Sequence, residues 1–285
     1  MKKFLNLFLV LLLLSDFLKV NASKIFKIKE FYSGYNTAEP YDHSSLTNEQ
    51  FARALERGGD LYGQDIRALD LSGCSNLTSL VGISTLINLE SLELSGSGVI
   101  NLELFGLDNL TYLGISKCRG IRDLSNLSRL VKLEDLDASD CIGINDVSVL
   151  SELYNLITVN LAGCTGIYVL PVLSGLTKLV FLGLSGCTGL RDVSTLLGLP
   201  NVNILNLSEC TGLIALPDFR LCDSLVLLNL RGTRFIEGLD AYLIERATLD
   251  RTHESVAALM DAICVRKRAS DFGGFVNDVR FSGLT

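Results

Sequence analysis

Between residues 66 and 239 the apolar positions of this chain fall into one recurring phrase. It reads L-x-x-L-x-L-x-x-C-x-x-L-x-x-L-x-x-L-x-x-L. Copies begin at Ile66, Leu89, Leu110, Leu133, Leu156, Leu179 and Val202, with a partial copy from Leu225. The spacing is 23 residues at every step except Leu89 to Leu110, which is 21, so one arc is two residues short. A fixed period of this length marks stacked repeats, each too small to bury its apolar face alone. Within a repeat, Leu69-Asp70-Leu71 and its equivalents alternate with period two, which predicts a short strand with one buried face. Apolar residues then recur every third position, as at Cys74, Leu77, Leu80, Ile83 and Leu86. That period is shorter than an α-helical turn, so the arcs are predicted to be 3₁₀ turns or extended chain. Stacking places the strands in one parallel sheet whose two open ends need covering.

Both ends of the repeat array carry cap signals. Residues 23–45 read as an irregular, aromatic lead-in. Thr47 and Gln50 then have capping-box spacing, with Leu46 and Phe51 placed as a hydrophobic staple, so a helix is expected at about 48–57. Beyond residue 240 the phrase stops. Val256, Leu259, Met260 and Ile263 share one helical face, and a second capping helix is expected at about 252–267, ending in Arg266, Lys267 and Arg268. The expected organisation is therefore a leader at 1–22, an N-terminal cap at 23–65, seven full repeats and one partial at 66–239, and a C-terminal cap at 240–285.

The leader rests on Lys2 and Lys3, an apolar stretch from Phe4 to Leu14, and small residues at Val20 and Ala22. These are the parts of a secretory signal peptide. The alternative is an uncleaved anchor from Phe4 to Val20. Lys19, Lys24, Lys27 and Lys29 on its downstream flank would then hold the repeats in the cytosol.

Charge narrows the partners. The formal net charge is −7, which argues against nucleic acid. Two histidines, His43 and His253, are far apart and supply neither a metal pair nor a catalytic base. No enzyme, cofactor or metal is expected.

The phrase L-x-x-L-x-L-x-x-[N/C]-x-L resembles the leucine-rich-repeat pattern over residues 66–239. Arcs such as CTGLRDVSTLLGL (187–199) look like the internalin-type subclass. NLSECTGL and GLSGCTGLRDVSTL are also similar to leucine-rich-repeat proteins of trypanosomes, some of them linked to variant-surface-antigen expression sites. The resemblance implies an α/β repeat solenoid: right-handed and curved, with a parallel concave sheet, short 3₁₀ or extended convex arcs and helical caps. It further implies that a macromolecule binds on the concave sheet.

Where many members stack asparagine, this chain stacks Cys74, Cys118, Cys141, Cys164, Cys187 and Cys210; Ser97 breaks the row and Thr233 ends it. The position calls for a small inward side chain that bonds neighbouring backbone, which a thiol does weakly. Regular 23-residue spacing is unlike a paired zinc knuckle, so the ladder is read as structural. Neighbouring cysteines are close enough for disulfides, but parallel Cβ vectors would strain them. Free thiols suit a reducing compartment, in tension with the leader. Cys222 and Cys264 lie off the ladder and are read as buried and free, with a pairing of the two near the C-terminal end as the alternative.

Outward-facing strand residues form two rows. One runs Asp70, Glu93, Gly114, Asp137, Asn160, Gly183, Asn206, Asn229; the other runs Ala68, Ser91, Tyr112, Asp135, Thr158, Phe181, Ile204, Leu227. The partner-binding residues expected are Asp70, Glu93, Tyr112, Asp135 and Asp137, favouring a basic partner, and the apolar run Phe181, Ile204 and Leu227; the alternatives are that the acidic row is a solvated face and that the C-terminal tail folds back over the apolar run. Gly114 and Gly183 either let a ligand come close or only reflect family drift. Asn76, Asn109, Asn126 and Asn206 head glycosylation sequons, meaningful only on the secretory route. The expected protein is a secreted or surface-exposed monomer that recognises a protein or glycan without catalysis. A membrane-anchored, cytosol-facing scaffold is the alternative.

Overall fold

A computed structural model describes residues 25–27, 45–57, 59, 61, 65–235, 254, 256 and 258–263. The leader at 1–22, His43, His253 and Cys264 lie outside them. Nine three-residue strands stand side by side: β1 (Ile25–Lys27), β2 (Ala68–Asp70), β3 (Ser91–Glu93), β4 (Tyr112–Gly114), β5 (Asp135–Asp137), β6 (Thr158–Asn160), β7 (Phe181–Gly183), β8 (Ile204–Asn206) and β9 (Leu227–Asn229). They pair in chain order and all run parallel. The 23-residue period fixes the register, so Leu113 pairs with Leu136 and Leu136 with Val159. The 21-residue repeat keeps that register, with Leu92 opposite Leu113. Its shortening falls on the arc, which lacks a 3₁₀ turn.

β1 departs from the sequence reading. The lead-in was expected to be irregular, yet Ile25 pairs with Ala68 and Lys27 with Asp70. Without it, β2 would present a row of unpaired backbone groups, and main-chain pairing with β1 satisfies them.

The core is a stack of leucines. Leu69, Leu92, Leu113, Leu136, Leu182, Leu205 and Leu228 are buried at the strand centres, and Leu77, Leu107, Leu130, Leu153 and Leu176 are buried beneath the arcs. Five arcs contain 3₁₀ turns, at Ile83–Thr85, Ser125–Arg129, Ser148–Glu152, Ser194–Gly198 and Phe219–Leu221. The three five-residue turns share an opening that the sequence reading overlooked. Asp123, Asp146 and Asp192 each accept the backbone N–H two residues on, from Ser125, Ser148 and Ser194. The repeat with Val169-Leu170-Pro171 at these positions has no such acceptor and no 3₁₀ turn.

Two glycines of one repeat serve different needs. Gly186 sits at φ +71°, where a side chain is strained although there is room for one. Gly189 has no such φ, but an added Cβ would lie 2.4 Å from the Thr165 carbonyl oxygen of the preceding repeat. Its missing side chain lets the two backbones stack.

Helix α1 (Asn48–Leu55) covers the first repeat. Thr47 Oγ1 accepts the Gln50 N–H at 3.3 Å, and the Thr47 N–H donates to Gln50 Oε1 at 2.9 Å. Phe51 and Leu55 are buried in the core. Asn48 ties the helix to the first arc, its Oδ1 accepting the Thr78 and Ser79 N–H groups at 2.8 and 3.0 Å. At the other end, residues 254, 256 and 258–263 are helical. Val256, Leu259, Met260 and Ile263 join the same core, and Asp261 pairs with Arg220. Among the described residues no helix is long and apolar enough to cross a membrane.

Candidate functional site: the concave sheet

Strand alternation turns the central residue of each strand into the core and the residues on either side of it outward. Most outward positions are half-buried. Two pairs of neighbours lock the acidic end in place. Tyr112 donates to Glu93 Oε2 at 2.8 Å, and Thr158 donates to Asp135 Oδ1 at 2.7 Å. Burial pushes the Asp135 carboxyl up to about 6, against the lowering effect of the Thr158 bond. Burial, with Glu93 beside it, also raises the Tyr112 phenol, so that ring is a neutral donor. Farther along, Phe181, Ile204 and Leu227 occupy paired positions on β7, β8 and β9.

One row also does structural work that sequence reasoning missed. Asp70, Glu93 and Asp137 each accept the backbone N–H two residues on, from Ser72, Ser95 and Ser139, at 3.0, 2.8 and 3.1 Å. Asn160, Asn206 and Asn229 do the same for Ala162, Ser208 and Arg231, at 3.2, 3.1 and 3.0 Å. This is the local side-chain turn that ends six of the strands, β2, β3, β5, β6, β8 and β9. It needs an oxygen and not a charge, since asparagine serves at three strands. Repeated Asp, Glu or Asn three residues before the positive-φ turn position (Gly73, Gly96, Asp140, Gly163, Glu209 and Gly232) was the available signal.

The two glycines in this row are not open landing points. A Cβ on Gly114 would lie 2.3 Å from Glu93 Oε2, and one on Gly183 would meet Asn160 Oδ1 at 2.8 Å and the Phe181 ring at 3.1 Å. Side chains of the sheet already fill the space above them.

Behind the strands the ladder thiols are buried and free. Five of the six donate to a strand-end carbonyl of the preceding repeat: Cys118 to Leu94, Cys141 to Ile115, Cys164 to Ala138, Cys187 to Leu161 and Cys210 to Leu184, at 2.9–3.1 Å. Ser97 lies 3.5 Å from the Cys118 sulfur, and Thr233 turns instead to its own repeat, donating to Leu230 O at 2.7 Å. Desolvation pushes the Cys74 and Cys210 thiols up to about 11 and those of Cys141 and Cys164 to about 12, and it raises Cys118 and Cys187 as well. Thiols held protonated are poor nucleophiles and poor metal ligands. Among the described residues no group of three or more His, Cys, Asp or Glu is arranged to hold a metal ion.

The sequon asparagines differ in setting. Asn76 is exposed, and Asn126 is partly buried in a 3₁₀ turn. Asn109 donates to Ile87 O at 3.0 Å and accepts from Lys132 at 2.7 Å. It belongs to a second ladder in which Asn155 donates to Val131 O at 2.7 Å and accepts from Lys178 at 2.8 Å. Asn206 lies on the concave row, its oxygen engaged by the Ser208 N–H and hydroxyl.

No protein-family model matches the chain, and no curated protein matches it significantly. Among solved structures it aligns with the functional domain of InlJ from Listeria monocytogenes, described as including a cysteine ladder. Identity there is 18% over 56% of this chain and 38% of that one, with a TM-score of 0.40. Internalin C2 of Listeria monocytogenes aligns at 21% identity over 68% of this chain and 98% of that one, TM-score 0.47. A leucine-rich-repeat protein of Leptospira interrogans aligns at 21% over 69% and 54%, TM-score 0.47. The chain thus spans less than two thirds of the InlJ domain and of the Leptospira protein. A 23-residue leucine period in register across one parallel sheet, closed by short arcs and backed by a thiol ladder, makes the chain a leucine-rich-repeat solenoid.

Proposed function

We propose that this chain is a non-enzymatic recognition protein that binds a protein or glycan partner across the concave sheet. One observation carries the reading: the turn that ends six of the strands needs only an oxygen, yet three of the residues supplying it are acids. The half-buried run of Phe181, Ile204 and Leu227 adds an apolar contact area on the same face. Inert, hydrogen-bonded thiols speak against a catalytic or redox role for the ladder.

The proposed setting is the secretory route, leading outside the cell or to its surface, on the strength of residues 1–22. Burial of the ladder thiols eases their tension with an oxidising compartment. The anchored, cytosol-facing scaffold stays as the second reading because the described cysteines are all unpaired. The mass of the mature chain from its native cells separates the two. A start at Ser23 supports secretion, and a retained Met1–Ala22 segment supports the anchor.

The binding reading is tested by capture from native cells with the wild type, a Phe181→Ser/Leu227→Ser variant and an arc control, Tyr154→Ser. Loss of the captured partner in the concave variant alone supports it. Equal loss in the arc control, with both variants folded, contradicts it.

A further inference from the structure

The outward positions divide sharply between β5 and β6. On β2–β5 the charged first and third residues are Asp70, Glu93, Asp135 and Asp137; Glu90 and Glu134 stand one residue before β3 and β5, and Arg67 one before β2. Arg67 is itself paired with Glu90 at 2.6 Å. The equivalent positions on β6–β9 carry no charge at all. Their apolar members are Ile157, Val180, Phe181, Ile204, Val226 and Leu227.

The fold does not impose this division. Asparagine makes the strand-ending turn on β6, β8 and β9 as aspartate or glutamate does on β2, β3 and β5. Nor does the backbone distinguish the strands, since all pair in the same register. Placing like charges on neighbouring strands is unfavourable in an empty sheet and favourable under a cation.

We infer that the occupant of this face is a polypeptide segment lying across the strands, with cationic side chains over β3–β5 and an apolar side chain over β7–β9. The inference rests on the concave-sheet reading above and names its partner chemistry. Neutral and acidic sugars offer neither a cation nor an aliphatic group, whereas one peptide offers both. β5 and β8 are three strand steps apart, about 14 Å at ordinary sheet spacing. An extended chain covers that in about four residues. The partner is therefore bipartite, with a spacing the sheet sets.

The test uses the full chain and fluorescein-labelled synthetic peptides read by anisotropy. The probe carries a Lys-Arg pair and a Leu-Phe pair separated by four Gly/Ser residues, made in both chain directions. Controls remove the spacer, replace the bases by Glu, or replace Leu-Phe by Ser-Ser. The expected result is that the spaced probe binds about tenfold or more tighter than every control, with affinity falling as salt rises. Asp135→Asn with Asp137→Asn, which keeps the oxygens that accept from Thr158 and Ser139, should weaken the spaced probe severalfold and flatten its salt dependence. Phe181→Ser should remove the advantage of Leu-Phe over Ser-Ser, and Leu227→Thr serves the same purpose if Phe181→Ser fails to fold.

Equal binding of the spaced and spacer-free probes, or no binding of either, overturns the inference. So does a glycan on an array, or a second copy of this chain in sedimentation, whose binding Phe181→Ser abolishes; the concave-sheet reading then stands and only the partner chemistry falls. Probe binding that every concave variant leaves unchanged removes both.

Discussion

Asp137 separates the two roles assigned to the acidic row. Its Oδ1 accepts the Ser139 backbone N–H at 3.1 Å and the Asn160 side-chain amide at 3.2 Å. Asp137→Ala removes both bonds and leaves the Ser139 N–H without its partner in a half-buried turn. A lost bond of this kind costs about 1–2 kcal/mol. In a chain of this size each kcal/mol lowers Tm by about 2–4 °C. Asp137→Asn keeps an oxygen in the same place and should cost less than about 0.5 kcal/mol. Urea unfolding followed by far-UV circular dichroism measures both. β4 supports the argument: Gly114 has no side-chain oxygen, and the Ser116 N–H is taken instead by Ser95 Oγ at 3.1 Å. If Asn is as damaging as Ala, the charge itself stabilises the fold and the claim that it is free for a partner fails. If Ala costs nothing, the turn bond is not contributing.

Further outcomes follow from other features. In the native protein, iodoacetamide at mildly alkaline pH should leave Cys141 and Cys164, held at about 12, unmodified over hours, while denaturant exposes them; rapid native labelling by peptide mass mapping would refute the buried ladder. Burial holds the Asp135 carboxyl up at about 6 in the folded protein, above the ordinary carboxylate range of the unfolded chain. Across that window the folded state holds a proton that the unfolded state has released, so this group's contribution to stability falls as pH rises. Asp135→Asn should therefore stabilise the protein above pH about 6 and have no effect below pH about 3.5; an equal effect at both would refute the assignment. Gly186→Ala should cost about 1 kcal/mol through backbone strain alone. Gly189→Ala should cost more, because its Cβ has no room beside the Thr165 carbonyl; the reverse order in urea midpoints would contradict the stacking account.

Much of this architecture was legible in the leucines. Their period defines the repeat, the alternation at Leu69-Asp70-Leu71 gives the strand, and the three-residue recurrence after Cys74 gives the arc. What stayed hidden depends on contacts between repeats. β1 is three residues with no alternation long enough to stand out, and it exists because β2 offers an edge. Gly114 and Gly183 suggest open space in a sequence, while the volume above them belongs to Glu93, Asn160 and Phe181. Asn109 reads as a sequon, and its bonds to Ile87 and Lys132 appear only when repeats are stacked. In the acidic row, the pattern marks the outward direction but not the backbone N–H that each oxygen accepts.

The most direct test of concave recognition is site-specific photo-crosslinking in native cells. A photoreactive residue in place of Thr158, at the centre of the concave sheet, is compared with one in place of Val131, exposed on an arc. The account predicts a discrete cross-linked partner from position 158 and none from position 131. Cross-links from 131 alone, or identical products from both, would contradict it.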